Sequence, residues 1–378
     1  MNVNVALPPP LAAISKRHGN ADAVEVPLRI AVLSPISWRT PPRHYGPWEL
    51  FASLLVEGLV GRGHHVTLFA TGDSETAAEL AWTLPQGWSE DLSIDPKVAE
   101  CLHISAVFER AMDFDVIHNS FDFLPLTYSQ LVGTPVVTTV HGFSSEKVVD
   151  VYRKYNRRTS YVSISMADRH PDLDYSATIH HGIDTSGFRS SPDRGDDLLF
   201  FGRIHPDKGT REAIEVAGRC GRRLVIAGII QDDEYFCRFV EPFIDDRNVR
   251  YVGPVGGAER SQLLGSSYAL LHLIDFDEPF GFSVVEAMAS GTPVIANDRG
   301  SMRELIDDGM TGLIVGTTEE ACAAVSRVGM LDSGLIRQEA VRRFDRDRMV
   351  DDYLGVYRSV LEREYEFPAR PKRHAVYD

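Results

Sequence analysis

Short apolar segments alternate with helical stretches along most of the chain, and this alternation limits the possible folds more than any other feature. The segment 28–35 is a continuous apolar run rich in β-branched residues, as is typical of a strand buried on both faces of a parallel sheet. A helical stretch begins at Gly46-Pro47, and the same succession of strand and helix recurs further along the chain. The pattern therefore predicts βαβ units and an α/β fold.

The alternation is interrupted once, at 185–197, where Ser, Gly, Pro and charged residues predominate. It then restarts, so two doubly wound parallel sheets fit the pattern better than one large sheet. The final stretch has helical spacing of its apolar residues and could pack against either half; we expect it to return to the first. The predicted organisation is a flexible amino-terminal arm over 1–27, a first Rossmann-like domain over 28–188, a second over 189–345, and a carboxyl-terminal helix and tail over 346–378.

The charge and composition of the chain argue against several classes of protein. The 378 residues include 39 Lys plus Arg and 54 Asp plus Glu, so the formal net charge is −15, which argues against a nucleic-acid partner. No apolar run approaches the ~20 residues that span a bilayer, and the amino terminus does not resemble a secretory signal. Four scattered cysteines form no CxxC pair, so no disulfide framework is indicated. We therefore predict a cytoplasmic protein without an integral membrane segment.

Three turns that follow predicted strands carry the residues most suited to ligand binding, because parallel sheets bind ligands beyond the carboxyl ends of their strands. In the first turn, 34–49, Gly46 permits close backbone approach and Pro47 suits the first position of a helix. A helix N-terminus there would favour an anion, although a plain loop with a helix cap explains the turn equally well. The GxGxxG pattern of dinucleotide-binding folds is missing, which argues against a dehydrogenase.

The second turn, 201–212, contains two cations. Arg203 and Lys208 follow a predicted strand, Gly209 gives backbone room, and Thr210 can cap the next helix. A planar guanidinium and a point charge at a strand–helix turn suit a diphosphate. The alternative is a pair of solvated surface cations. The order of residues differs from that of a Walker loop, because the glycine follows the lysine.

The third turn, 277–296, contains two glutamates eight positions apart, Glu278 on a loop and Glu286 in what we expect to be the first turn of a helix. The backbone amides of Gly281, Phe282 and Ser283 should point outward at that helix start and could donate to ligand oxygens. An alternative is a capping box, in which Ser283 and Glu286 bond back to the chain.

Taken together, these motifs resemble the retaining family 4 glycosyltransferases of the GT-B fold. The carboxyl-half motifs are GR(x4)KG at 202–209 and E(x7)E at 278–286, followed by EAMASGTPVIA. The amino half agrees through LVGRGHHVTLFATGDS (59–74), DVIHNSFD (115–122), VTTVHG (137–142) and TIHHGID (178–184). The resemblance covers roughly 28–365 and implies two Rossmann-like doubly wound domains that face each other across a cleft. The first would be the acceptor side and the second would bind the nucleotide sugar.

The resemblance also implies a role for each matching residue. Arg203 and Lys208 would grip the donor diphosphate and stabilise its charge as it leaves. Glu286 would hold the ribose hydroxyls, Glu278 would orient the transferred sugar, and His141 would face that sugar from the amino domain, although a lone histidine at a strand end is often structural. Further donor contacts are expected from Gly46, Pro47, Val255, Gly281, Phe282 and Ser283. The acceptor is expected near His44, Tyr45, Asn119 and Asp122.

The implied activity is transfer of a glucose- or mannose-type hexose from UDP- or GDP-hexose to a hydroxyl of a small-molecule, saccharide or lipid-linked acceptor. Retention would follow from front-face attack without a covalent nucleophile, a metal or a cofactor. Four Asp-x-Asp pairs are scattered along this acidic chain and are interpreted as chance occurrences. The alternatives are a catalytically inactive GT-B protein that binds nucleotide sugars or carbohydrates, and a GT-B-like epimerase or phosphorylase. The basic segment 368–374 could contact an anionic membrane surface weakly, or be a plain polar tail.

Overall fold

The computed structural model describes residues 26–366 except 44, 144 and 191–193, and describes only the backbone of 364–366. Within these residues the first half of the chain forms a sheet of seven parallel strands in the order β3-β2-β1-β4-β5-β6-β7. The strands are β1 (Arg29–Leu33), β2 (His65–Phe69), β3 (Glu79–Ala81), β4 (Val116–Asn119), β5 (Val136–Val140), β6 (Thr159–Ser163) and β7 (Tyr175–Thr178).

Strand β1 lies at the centre of this sheet, and its position shows where the sheet would bind a ligand. Ile30 pairs with Val66 of β2 on one side and with Val116 of β4 on the other, and all three are buried. The strand order reverses between β1 and β4, and a crevice opens at the carboxyl ends of the strands at such a reversal. The helices of this half are α1 (Pro47–Gly61), α2 (Pro96–Glu109) and α3 (Val149–Tyr155).

The second half repeats the architecture with six parallel strands in the order β10-β9-β8-β11-β12-β13 among the described residues. The order reverses between β8 and β11, which places a second crevice there. The strands are β8 (Leu198–Phe201), β9 (Leu224–Ala227), β10 (Val249–Gly253), β11 (Ala269–His272), β12 (Val294–Asn297) and β13 (Gly312–Val315). The helices are α4 (Thr210–Cys220), α5 (Asp233–Phe239), α6 (Gly257–Ser266), α7 (Phe282–Ala289), α8 (Met302–Leu305), α9 (Thr318–Val328), α10 (Ser333–Phe344) and α11 (Arg346–Glu366).

Helix α11 follows the second half in the chain but packs on the first. Met349, Tyr353 and Tyr357 are fully buried in the same apolar cluster as Phe51 of α1. The contact is also polar, because the Tyr357 hydroxyl lies 2.8 Å from His118 Nδ1 and the Tyr353 hydroxyl hydrogen-bonds within the same core. The last helix therefore belongs to the core of the first sheet.

A carboxylate joins the two halves beside the cleft. Glu304 of α8 accepts hydrogen bonds from the backbone amides of Met166 (2.8 Å) and Ala167 (2.7 Å), and His180 Nε2 lies 3.0 Å from its Oε2. Burial opposes the charge of Glu304, but these hydrogen bonds outweigh it and lower the pKa of the carboxyl below its ordinary value. One charged side chain thus holds the second half against the loop that follows β6.

The predicted α/β fold with two Rossmann-like sheets is confirmed, and β1 lies inside the apolar run 28–35 from which it was predicted. The edge strand β3 was not predicted. Most of the expected arm at 1–27 and the basic segment 368–374 lie outside the described residues, so neither prediction is tested. Within the part of the chain that is described, no helix is long and apolar enough to cross a bilayer.

Candidate active site

A cavity of about 500 Å³ lies in the cleft, and residues of both halves line it. It lies beyond the carboxyl ends of β1, β5, β8 and β11, so the two strand-order reversals face it from opposite sides. This is the position at which doubly wound sheets bind ligands. The predicted residues that line it are Tyr45, Gly46, Pro47, His141, Arg203, Lys208, Val255, Glu278, Gly281, Phe282, Ser283 and Glu286.

The first turn brings backbone to the cavity at the start of α1. Gly46 is the N-cap residue with φ 149°, and Pro47 is the first helical residue. A Cβ atom at Gly46 would lie 2.7 Å from Glu49 Oε2, so both the backbone angle and the available space require glycine. Glu49 is buried beneath the turn, and burial raises the pKa of its carboxyl to about 7. The turn is therefore a tight, fixed wall of the cavity.

The second turn presents its two cations from the end of β8. Arg203 donates a hydrogen bond to Gln231 Oε1, and its Nη2 lies 3.9 Å from Asp207 Oδ2. Lys208 ends a short 3₁₀ turn, after which Gly209 adopts a left-handed conformation with φ 73°. A Cβ atom at Gly209 would clash with the carbonyl oxygen of Leu273, so glycine lets the turn pack against the end of β11. This packing brings the cation turn to the glutamate turn.

Lys208 and Glu278 meet at that junction. Lys208 Nζ donates a 2.7 Å hydrogen bond to Glu278 Oε2, and both side chains are 14% exposed. His272, which lines the cavity beneath them, has its Nε2 3.7 Å from the same carboxylate oxygen. Burial lowers the pKa of His272 to about 4, against the opposite effect of Glu278, so the imidazole is neutral at pH 7. The charged groups here are thus one ammonium and one carboxylate.

Helix α7 begins at Phe282. Its N-cap residue is Gly281, which has no side chain that could cap the first amides of the helix. Glu286 is the fifth residue of the helix, so the expectation that it lies in the first turn is wrong by one residue. The capping-box alternative fails for the same reason, because Ser283 lies inside the helix and Glu286 points elsewhere. The carboxylate of Glu286 is 2% exposed and pairs with Arg260 Nη2 at 2.9 Å.

Burial raises the pKa of Glu286, and the positive charge of Arg260 opposes that rise. Arg260 stands on α6, after the loop that contains Val255, and it also lines the cavity. A fixed carboxylate beside a guanidinium can accept hydrogen bonds from a vicinal diol. The first residues of α7 also line the cavity, where a helix N-terminus favours an anionic group.

His141 lines the cavity at the end of β5, but both of its ring nitrogens have protein partners. Its Nε2 lies 3.0 Å from Ser120 Oγ and its Nδ1 3.3 Å from His181 Nε2. Trp48 stacks on the ring at 5.4 Å. Burial, reinforced by His181 and His118, lowers the pKa of His141 well below the ordinary value, so the ring is neutral. It contributes a rigid wall rather than a free acid or base.

The residues expected beside the acceptor do not stay together. Tyr45 lines the cavity, but Asn119 and Asp122 do not. Asn119 Nδ2 donates to the carbonyl of Asp122 and to Thr138 Oγ1, and Asp122 Oδ1 accepts from the Tyr152 hydroxyl. These polar groups hold the turn after β4 and its neighbours, and the expectation that they lie beside an acceptor stays a prediction. His44 lies outside the described residues.

The sequence analysis missed several cavity residues, among them Trp48, Arg260 and His272. Trp48 is the second residue of α1, where a large apolar side chain predicts packing of the helix on its sheet rather than a ligand contact. His272 ends a strand and carries the signal already used for His141, a polar residue after an apolar run. Arg260 carried no such signal, because its partner Glu286 is distant in sequence and the contact depends on the packing of α6 against α7.

Among the side chains that the structure describes, no three of the His, Cys, Asp and Glu type cluster so as to hold a metal ion. None of the four Asp-x-Asp pairs contributes to the cavity lining. The expectation that no metal is required stays a prediction.

Two family models match the chain in succession. Residues 49–186 match the model described as Glycosyltransferase Family 4, and residues 186–332 match the model described as Glycosyl transferases group 1. The two matches meet at residue 186, between the two sheets. Together they cover most of the described chain, including the cavity residues on both sides of the cleft.

Curated and solved relatives agree with these matches. A phosphatidyl-myo-inositol mannosyltransferase of Mycobacterium leprae is 24% identical over 88% of this chain and 97% of its own length. The structure of AviGT4, a glycosyltransferase involved in avilamycin A biosynthesis, is 26% identical with a TM-score of 0.67 over 89% of this chain and 98% of that one. The structure of Anabaena HepE with UDP and glucose is 18% identical, covers 88% of this chain and all of that one, and has a TM-score of 0.69. The chain belongs to family 4 of the glycosyltransferases and has the GT-B fold.

Proposed function

We propose that this glycosyltransferase moves a glucose- or mannose-type hexose from a nucleoside-diphosphate hexose to an acceptor hydroxyl, with retention of the anomeric configuration. The observation that carries the proposal is the meeting of Arg203, Lys208, Glu278 and Glu286 in one cavity at the start of α7. The hexose class is supported by the mannosyltransferase relative and by the UDP- and glucose-bound structural neighbour. UDP and GDP both stay open as donors.

The diphosphate is assigned to the two cations and the helix N-terminus. Arg203 supplies a planar fork and Lys208 a point charge, and both lie in the cavity wall across from the Gly46 turn. When the bond from the anomeric carbon to the phosphate oxygen breaks, the charge on the leaving diphosphate grows. Cations fixed in place before the reaction stabilise that charge without reorganisation.

The two glutamates are assigned to opposite ends of the donor. Glu286, buried and paired with Arg260, would accept hydrogen bonds from the ribose hydroxyls. Glu278, beside Lys208, would orient the hydroxyls of the transferred sugar. Neither glutamate is proposed as a nucleophile. The acceptor oxygen attacks the anomeric carbon on the face from which the diphosphate leaves, and the acceptor proton passes to the leaving phosphate oxygen.

This account fits the state of His141. An imidazole that is neutral, with both nitrogens bonded to protein, cannot easily serve as the general base, so the proton goes to the leaving group. The acceptor, a small molecule, a saccharide or a lipid-linked alcohol, would enter from the amino-half side, where Tyr45 and Trp48 line the cavity. We also propose that the transfer takes place in the cytoplasm.

The test is incubation of the purified protein with UDP- and GDP-hexoses and a panel of acceptor alcohols, with nucleotide release and the anomeric configuration of the product as readouts. We expect release with one nucleotide and a product of the donor configuration. A product of inverted configuration would overturn the retaining part. Nucleotide binding without turnover for every sugar would favour the inactive binding protein, and conversion of the donor sugar without transfer would favour an epimerase.

A further inference from the structure

A second cavity, of about 480 Å³, lies at the amino-terminal ends of strands in the first sheet, whereas the cleft lies at the carboxyl ends. It surrounds the first residues of three neighbouring strands, Val136 of β5, Thr159 of β6 and Tyr175 of β7. The catalytic cavity lies at the other end of the same strands, where His141 follows β5. Five residues of β5 separate the two, or about 16 Å at ~3.3 Å per residue. We call this second site the rear cavity.

The wall of the rear cavity contains three arginines, Arg157 and Arg158 after α3 and Arg363 near the end of α11. Among the described side chains none of the three has a carboxylate within ion-pair distance, whereas Arg153, one turn before Arg157, is paired with two aspartates. Arg363 Nε only donates to a backbone carbonyl of its own helix. Three uncompensated guanidinium groups around one cavity are unexpected in a chain of net charge −15.

A buried polar atom also points to a ligand. Thr159 is 6% exposed and lines the rear cavity, and its hydroxyl has no hydrogen-bond partner among the described residues. A buried polar group without a partner costs free energy, so such groups are normally satisfied. The hydroxyls of Ser160 and Ser176 stand in the same wall. The site therefore offers hydroxyl donors in addition to charge.

Asp174 carries the negative charge in this wall, and its carboxylate already has a hydrogen-bond partner. Its Oδ2 accepts a 3.0 Å hydrogen bond from Asn156 Nδ2, and the Asn156 side chain accepts one from the Asp174 backbone in return. With three arginines and one aspartate the wall has a net charge of +2. That is the complement of a dianion.

We propose that the rear cavity is a second binding site, separate from the donor site, that takes a phosphate monoester. The arginines would contact the phosphate oxygens as planar forks, and the less buried Ser160 and Ser176 of the same wall carry hydroxyls that could donate to them. The ester could be a free metabolite or the headgroup of an anionic lipid, since both present the same dianion. The site does not depend on the donor or acceptor of the transfer reaction.

The test uses calorimetry with methyl phosphate on four forms of the full chain. The first is the natural protein, and the second is Arg203→Gln/Lys208→Gln, which removes the cations of the catalytic cavity. The third is the rear variant, Arg157→Gln/Arg158→Gln/Arg363→Gln. We expect the second form still to bind methyl phosphate. The rear variant should bind it about 10-fold more weakly or worse at this site, because loss of one hydrogen bond between charged groups lowers affinity by about 10-fold.

The fourth form, Arg247→Gln/Arg250→Gln/Arg327→Gln, is the matched control, because it removes three exposed arginines that contribute to neither cavity. It should bind methyl phosphate like the natural protein. Unchanged nucleoside-diphosphate binding by the rear variant would show that the rear variant is folded. Methyl phosphate binding by the rear variant equal to that of the control would overturn the proposal.

A second arm separates the two sources of the ester by cosedimentation with phosphatidylcholine vesicles, with and without phosphatidic acid. Sedimentation that requires phosphatidic acid and the three rear arginines would assign the site to a lipid headgroup. Methyl phosphate binding without such sedimentation would assign it to a free ester. If neither methyl phosphate nor phosphatidic acid vesicles bind in a way that depends on these arginines, the rear cavity is not a phosphate site.

Discussion

Lys208 Nζ and Glu278 Oε2 are joined by a 2.7 Å hydrogen bond, although the two residues are 70 positions apart in the chain. The bond links the turn after β8 to the turn after β11, and so it fixes the distance between the groups assigned to the diphosphate and to the sugar. The charge of each residue is balanced by the other. In the proposed function both residues would therefore act on the donor from one rigid unit.

We expect Lys208→Gln to lower turnover by about 100-fold or more, because the variant loses a preorganised cation where charge develops on the leaving diphosphate. Arg203→Gln should have a loss of the same order. Steady-state nucleotide release measures both, with Arg247→Gln, an exposed arginine far from the cavity, as the control. Kinetics equal to those of the natural protein in both variants would remove the diphosphate assignment.

Substitution of the two glutamates should affect different properties of the enzyme, nucleotide affinity for Glu286 and turnover for Glu278. Glu286→Gln is expected to weaken binding of the free nucleoside diphosphate, since the ribose is present in that ligand. Glu278→Gln should bind it almost normally and lose turnover instead, because only the transferred sugar would feel its charge. Calorimetry and steady-state kinetics on the two variants separate these effects. The ribose assignment fails if Glu286→Gln retains full nucleotide affinity.

Arg260 is expected to act through Glu286. Burial already raises the pKa of Glu286, and removal of the arginine takes away the charge that opposes this rise. Because the ribose hydroxyls need an ionised acceptor, Arg260→Gln should lose nucleotide affinity as the pH falls, and the loss should begin at a higher pH than in the natural protein. The measurement is nucleoside-diphosphate binding as a function of pH. Parallel pH profiles for the two proteins would mean that Arg260 has only a structural role.

Glu304→Gln should loosen the contact between the two halves. The substitution removes the charge that holds two amides and His180, and we expect it to lower the free energy of unfolding by about 1–2 kcal/mol. The lowered pKa of Glu304 means that its contribution is complete above the ordinary pKa of 4.5 and is lost as the pH falls through the lowered value. Thermal unfolding and small-angle scattering at pH 7 test the substitution, with the exposed Glu109→Gln as control. No change in either readout would contradict the prediction.

Metal independence follows from the same cations. If Arg203, Lys208 and the start of α7 neutralise the leaving group, a divalent ion is not needed for that task. Activity should therefore survive an excess of EDTA. A complete loss of activity that Mg²⁺ or Mn²⁺ restores would point instead to carboxylates that the present assignment leaves unused.

The sequence predicted the parts of the site that are local in the chain. Arg203 and Lys208 stand within one strand–helix turn, and Glu278 within another, so the α/β pattern alone places them at the carboxyl edge of a sheet. The pairing of Glu286 with Arg260 could not be predicted, because it depends on how α6 packs against α7. The same holds for Asn119, whose side-chain amide donates to the carbonyl of Asp122 and to Thr138 on the neighbouring strand β5.

The ends of some strands and helices could not be predicted for a different reason. The edge strand β3 has three residues, Glu79–Ala81, and none of them is fully buried, so it shows no apolar run that would separate it from a loop. Glu286 was placed one residue too early in the helix, because the helix begins at Phe282, after a glycine whose backbone angle the sequence does not reveal. Patterns of burial could be predicted, whereas individual backbone angles could not.

The packing of α11 on the first sheet sets the order in which a ribosome can complete this protein. His118 and its partner Tyr357 are 239 residues apart. At 5 to 20 residues per second, about 10 to 50 seconds pass between the emergence of the strand and that of the helix that covers it. During that interval Phe51 and its neighbours lack the aromatic side chains that enclose them in the finished protein. The half that is translated first is therefore the last to be closed, and a premature stop before Met349 would leave its apolar face open to chaperones and proteases.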